Sequence, residues 1–211
     1  MITLYGFPQT RAMRISWLLE ELDLDYDYQL INFNTLQHRS PDYLALNPGG
    51  KVPAVRVEGQ LITESGAIVT FLADKYAEKG FIPAAGTLAR ATHDQWCYFV
   101  LSELEQPLWT RGKHKFALPK EQRVAEIFPT AEWEFQRALS LFSQGLGEQP
   151  YILGSDFQAV DVLMGQTLFW GLSAKQPIEQ SNLQAYVERC KARPALQRAQ
   201  AREKALLDSL S

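Results

Sequence analysis

The residues best suited to do chemistry lie in two short stretches. Asn47-Pro48-Gly49-Gly50-Lys51-Val52-Pro53-Ala54-Val55 reads as a loop entering a strand, and Thr63-Glu64-Ser65 follows after one tight turn at Glu58-Gly59. Pro53, directly before the strand, leaves the backbone of Val52 free to pair with something other than a neighbouring strand. Glu64-Ser65 stands where a helix begins, and the unpaired N–H groups of a helix start make an anion site. A free backbone edge, Lys51 and an anion-holding helix end point together to a small, acidic, peptide-like ligand.

The elements that must position these residues are legible from periodicity. Ile2–Tyr5 is a short β-type run ended by Gly6-Phe7-Pro8. Ile15, Leu18, Leu19 and Leu22 then mark one face of a helix. Tyr26–Ile31 resumes strand character, Asn32–Ser40 is loop-like, and Ser40-Pro41-Asp42 opens a short helical turn. Strands Ala54–Val57 and Gln60–Ile62 form a hairpin, and Ala67, Ile68, Phe71, Leu72 and Tyr76 mark the next helix. A crossover helix makes the first two strands parallel, so residues 1–78 predict a mixed four-stranded α/β domain.

Residues 79–87, rich in Gly and Pro, read as a linker, and 88–211 as an all-helical domain. Within it, Leu88–Glu105 is a helix that Gln106-Pro107 kinks or ends, and a second from Val124 to Phe142 should bend near Pro129. Phe157–Ala174 is apolar on nearly every side, as befits the centre of a domain. Asp161 in its first turn reads as a structural cap on the Gln158 N–H, with Phe157 and Val162 as a hydrophobic staple. Helices about Asn182–Lys191 and Pro194–Asp208 finish the chain.

Composition excludes several classes. A net charge of −3 with no Lys/Arg run gives no reason to expect nucleic acid. Cys97 and Cys190 are isolated and His38, His93 and His114 scattered, which argues against a zinc or dithiol site. No apolar run is long enough to span a membrane, and no basic, apolar leader precedes Ile2. The expectation is a reduced, cytoplasmic protein.

Four blocks, in order, resemble the cytosolic glutathione transferase family: Leu4-Tyr5-Gly6 with Arg11 and Trp17-Leu18-Leu19-Glu20-Glu21; Asn47–Val55; Thr63-Glu64-Ser65-Gly66-Ala67-Ile68; and Tyr151-Ile152-Leu153-Gly154 before Phe157–Asp161. The resemblance implies a thioredoxin-like first domain, an all-helical second one, a homodimer, and glutathione as cosubstrate for a small hydrophobic electrophile. Carried onto this chain, Pro53 resembles a cis-proline that lets Val52 pair with the cysteinyl part of glutathione. Ser65 would take the γ-glutamyl carboxylate and Glu64 the ammonium group, while Lys51 and His38 would reach the glycyl carboxylate.

The same resemblance suggests which group activates the thiol. A free thiol near pKa 8.5 is only roughly 3% thiolate at pH 7. Lowering it two units takes about 2.7 kcal/mol. One hydrogen bond to a charged group supplies about 1.5–3 kcal/mol and a helix start about 0.3–1. One hydroxyl beside the first helix therefore suffices. Thr10, in Pro8-Gln9-Thr10-Arg11, occupies the place where serine-type members carry it; Tyr5 is the alternative, followed by Arg11, Gln9 or backbone donors. No cysteine precedes Cys97, which disfavours an enzyme-linked mixed disulfide. Phe7, Trp109 and His114 are expected around the second substrate, with Phe99, Phe116, Trp170 and Arg111 as further candidates. A glutathione-dependent disulfide reductase and a non-catalytic ligand carrier are the alternatives.

Overall fold

The structure is a computed structural model and describes residues 1–210. Its contacts divide the chain into two compact units, Met1–Ile82 with Lys191–Ser211, and Pro83–Cys190.

In the first unit, β1 (Ile2–Gly6) leads through α1 (Ala12–Glu21) to β2 (Tyr26–Leu30), then α2 (Pro41–Leu46), β3 (Ala54–Val57), β4 (Gln60–Thr63) and α3 (Ser65–Lys75). The sheet order is β2-β1-β3-β4, with β1 parallel to β2 and antiparallel to β3, and β3 antiparallel to β4. This is the mixed α/β sheet that the alternation of strand and helix periods predicts. Ile2, Leu4, Val55 and Val57 enter the core from the two central strands. Ser40 caps α2 by accepting the Tyr43 N–H at 3.2 Å, and Pro41 opens that helix, where its missing N–H has no partner to lose.

Helix α1 departs from the one-sided pattern. Ile15, Leu18, Leu19 and Leu22 are fully buried, and so are Arg14, Ser16 and Trp17. The cause is the last helix of the chain, Pro194–Asp208, which packs on α1 within this unit. Arg198 Nε meets Glu20 Oε2 at 2.8 Å, Arg193 Nη2 meets Glu21 Oε2 at 2.8 Å, and the Arg202 guanidinium lies 4.1 Å from the centre of the Tyr26 ring. The composition break places this helix in an 88–211 domain, whereas its packing joins it to the sheet unit. Its apolar face, Ala195, Leu196 and Ala199, reads the same whichever unit it covers.

In the second unit, α4 (Leu88–Phe99), α5 (Glu105–Gly112), α6 (Ile127–Leu146), α7 (Ala159–Ser173) and α8 (Ser181–Lys191) precede that last helix, α9. Pro107 does not end the helical run: a π-helical segment, Val100–Leu104, joins α4 to α5, and the wider turn accommodates the hydrogen bond that proline cannot donate. Pro129 falls in the first turn of α6, which starts at Ile127, and not inside a helix running from Val124. Gly145 lies inside α6, where an added Cβ would meet the Trp96 ring at 2.3 Å, while Gly147, at φ 56, closes the helix. Helix α7 is buried almost all round, and Asp161 is its cap: Oδ2 accepts the Gln158 N–H at 2.8 Å, and Oδ1 accepts the Tyr186 hydroxyl at 2.8 Å and the Ile152 N–H at 3.1 Å.

Candidate functional site

Strand register brings the sequence-distant candidates to one end of the sheet. Ala54 pairs with both Tyr5 and Thr63. The end of β1, the start of β3 and the end of β4 therefore share one edge. From it project Gly6–Arg11 toward α1, Lys51–Pro53 before β3, and Glu64-Ser65 opening α3.

The first segment is a tight loop. Gly6 is required, since a Cβ there would come within 2.6 Å of the Tyr28 hydroxyl and 2.8 Å of Ala12 Cβ. Gln9 turns the chain at φ 62. The Thr10 hydroxyl donates to the Phe7 carbonyl at 2.6 Å and accepts the Ala12 N–H at 3.2 Å. It thus sits at the start of α1, with its proton engaged internally. Tyr5 alternates with the buried Leu4 and Gly6, so its side chain leaves the opposite sheet face. There the Arg56 guanidinium lies 5.8 Å from its ring centre.

The second segment is held by two side chains, Tyr43 and Asn47, to which the sequence reading gave no role. The Lys51 carbonyl accepts from the Tyr43 hydroxyl at 2.7 Å and from Asn47 Nδ2 at 2.8 Å. Asn47 Oδ1 also accepts the Gly49 N–H at 3.1 Å. Val52-Pro53 is cis, and the strand pairing of β3 begins only at Ala54, beyond Val52. Gly50, at φ 57, lies close to the His38 carbonyl, which a Cβ would approach to 2.8 Å. His38 leans on Phe33 (centroids 4.5 Å apart), and Phe33 stacks flat on Phe7 at 5.0 Å. Burial first, then the neighbouring Arg39, holds the His38 imidazole below its ordinary value, favouring the neutral ring.

The third segment is the start of α3. Glu64 is exposed with φ 66 and ψ 113, an uncommon conformation for a residue with a side chain. Ser65 is buried, and its Oγ accepts from Arg14 Nη1 at 3.0 Å. A fully buried arginine thus stands behind the helix start, adding positive charge to an end already favourable to anions. The sequence signal for Arg14 is a charge one residue before Ile15 in a helix bounded by apolar residues.

The structure gathers Thr10, His38, Lys51, Val52, Pro53, Glu64 and Ser65 around this sheet end, with Phe7 in the adjoining aromatic stack. Trp109, on α5, and His114, in the π-helical segment Lys113–Ala117, belong to the second unit. His114 Nδ1 accepts the Val124 N–H at 3.0 Å, so its neutral ring carries the proton on Nε2. Burial pushes the Cys97 thiol up to about 12, and Cys190 is buried as well. Among the described residues, no helix is long and apolar enough to cross a membrane.

Comparison with known proteins finds consistent similarity to one family. The model of the glutathione S-transferase N-terminal domain matches residues 1–74. Glutathione S-transferase GstA of Escherichia coli O157:H7 is 26% identical over 180 residues, spanning 82% of this chain and 85% of that protein. The disulfide-bond oxidoreductase YfcG of Escherichia coli strain K12 is 27% identical over 169 residues, 77% of this chain and 76% of that one. The crystal structure of a glutathione transferase from Methylococcus capsulatus superposes with a TM-score of 0.86 at 28% identity, covering 97% of this chain and 100% of that one. The matched domain model, the transferase relatives and the shared fold agree: residues 1–74 form a glutathione S-transferase N-terminal domain, and the chain is similar to glutathione transferases over most of its length.

Proposed function

We propose that this protein binds glutathione along the shared sheet end and activates its thiol for attack on a small hydrophobic electrophile or a peroxide. The observation that carries the reading is the convergence of three unlike groups on one edge. Val52 offers unpaired backbone before the cis bond, Ser65 and Arg14 offer an anion site, and the Thr10 hydroxyl stands at the start of α1. Val52 would pair with the cysteinyl peptide, and Ser65 would take the γ-glutamyl carboxylate with Glu64 on the ammonium group. Lys51 and His38 would take the glycyl carboxylate. Phe7 is the aromatic that this unit offers to the second substrate. The protein is read as a cytoplasmic homodimer, as the family resemblance implies.

Thr10 can help the thiol only by turning its proton away from Phe7. Giving up that neutral bond costs about 1 kcal/mol, and a bond to the thiolate returns about 1.5–3. With about 0.3–1 kcal/mol from the helix start, the thiol is lowered by roughly one to two units. Thr10→Ala should therefore leave glutathione affinity within about twofold, raise the pKa of the bound thiol by about one unit, and lower kcat/KM about tenfold. Calorimetric binding and thiolate absorbance against pH are the measurements. Unchanged thiol titration would move the role to Tyr5 or to backbone donors.

A second reading is favoured by the relationship to a disulfide-bond oxidoreductase. The same site could reduce a disulfide: one glutathione thiolate attacks it and releases a first thiol, and a second glutathione attacks the mixed disulfide, releasing a second thiol and oxidised glutathione. Parallel assays with an aryl halide and with a small disulfide separate the two reactions. Binding without turnover in both would identify a ligand carrier.

A further inference from the structure

The Gln9–Thr10 turn is held by a residue from the far end of the chain. Glu203, on α9, is 3% exposed, and both of its oxygens are engaged. Oε2 accepts the Gln9 N–H at 2.9 Å, and Oε1 accepts the Tyr28 hydroxyl at 3.2 Å. Gln9 occupies a left-handed conformation, which a residue with a side chain keeps only where its surroundings fix it. Tyr28 in turn stands against Gly6, at the other end of the same loop. One carboxylate thus bonds the loop directly at the Pro8-Gln9 peptide and holds the Tyr28 hydroxyl that packs against Gly6. That peptide lies between the Phe7 carbonyl and the Thr10 hydroxyl bonded to it.

The charged groups of the surrounding elements are engaged elsewhere. On α9 itself, Arg198 pairs with Glu20 and Arg202 covers the Tyr26 ring. On α1, Glu21 pairs with Arg193 and Arg14 reaches Ser65, while Arg11 stands at its start. On β2, the Tyr26 hydroxyl meets Ser16 at 2.8 Å. Burial pushes the Glu203 carboxyl up to about 7, with the bonds from Gln9 and Tyr28 pulling the other way. Burial, with Glu203 beside it, also holds the Tyr28 phenol well above its ordinary value, so Tyr28 remains the donor.

We propose that Glu203 is a positioning residue for the thiol-activating loop: it sets the Pro8-Gln9 peptide and, through it, the direction of the Thr10 hydroxyl. This rests on the assignment of Thr10 above. The carboxylate accepts from Gln9 and Tyr28 together. Once protonated, it has one oxygen left as a full acceptor, and the hold on the loop weakens as pH falls through neutrality.

The test uses the full-length protein with two independent readouts. In the glutathione-free protein, the NMR shift of the Gln9 amide should titrate with a midpoint near pH 7, and Glu203→Gln should abolish that titration. In conjugation assays, Glu203→Ala should lower kcat about tenfold while the KM for glutathione stays within twofold. Glu203→Gln, which keeps an acceptor for Gln9, should restore kcat to within about threefold of the unmodified protein. A Gln9 amide indifferent to Glu203, or an undiminished kcat in Glu203→Ala, overturns the proposal. If Glu203→Ala does not fold, the amide titration in Glu203→Gln decides. If no form conjugates glutathione, the functional reading fails, while the same titration still upholds or overturns the hold of Glu203 on the loop.

Discussion

The Ser65 hydroxyl has one observed bond and one proposed one. Its oxygen accepts from the buried Arg14, and under the proposed function its proton would go to the carboxylate of the ligand. Ser65→Ala would remove both. Glutathione affinity should fall at least tenfold in calorimetric titration. Stability should fall by about 1–3 kcal/mol in urea denaturation, because a buried guanidinium N–H loses its acceptor. A loss of affinity without any loss of stability would mean that the Arg14 bond contributes nothing to the fold. Ser65 itself was legible in the sequence as the residue opening a helix. Arg14 was not read as its partner, because 51 positions separate them and only the packing of α1 on α3 brings them together.

At the scale of elements, α7 shows how one side chain anchors a helix that has no polar face. Asp161 accepts from its own N-cap backbone, from the Ile152 N–H and from the Tyr186 hydroxyl, so it joins α7 to the turn before it and to α8. The cap followed from its spacing to Gln158; the bonds to Ile152 and Tyr186 did not, since spacing does not say which loop or helix lies against a first turn. Asp161→Ala would take the carboxylate acceptor from three donors, two of them in buried bonds. It should cost more than the 0.5–2 kcal/mol of an ordinary cap, roughly 3 kcal/mol or more by thermal or urea unfolding. A loss of 1 kcal/mol or less would reduce Asp161 to a simple cap. Prolines misled for a related reason. Pro107 and Pro129 are breakers by type, but a π-helical turn before one and a helix start at the other absorb them.

At the scale of the whole molecule, Glu203 sets a pH dependence opposite to the usual carboxylate. Its folded value, about 7, lies above the ordinary one, so between about 4.5 and 7 the native state binds more protons than the unfolded chain. Its contribution is therefore fully present below the unfolded value and is lost as pH rises through about 7. A shift of this size corresponds to roughly 3 kcal/mol. Glu203→Gln should match the unmodified protein near pH 5 and exceed it by up to roughly 3 kcal/mol at pH 8, read from urea midpoints. A difference that does not change with pH would place the ionisation elsewhere. Local sequence was enough for the order of strands and helices in the sheet unit and for the residue types at the sheet end. Those depend on near neighbours: alternation, helical spacing, and the backbone preferences of glycine and proline. The tertiary structure decided which unit the last helix completes, that Arg14 backs Ser65, and that Glu203 holds Gln9 across 194 positions. Leu196, Ala199 and Glu203 fall at helical spacing on one face, and a glutamate on an apolar face was the one local sign of that contact. What it would meet depends on how distant segments pack, which local periodicity does not encode.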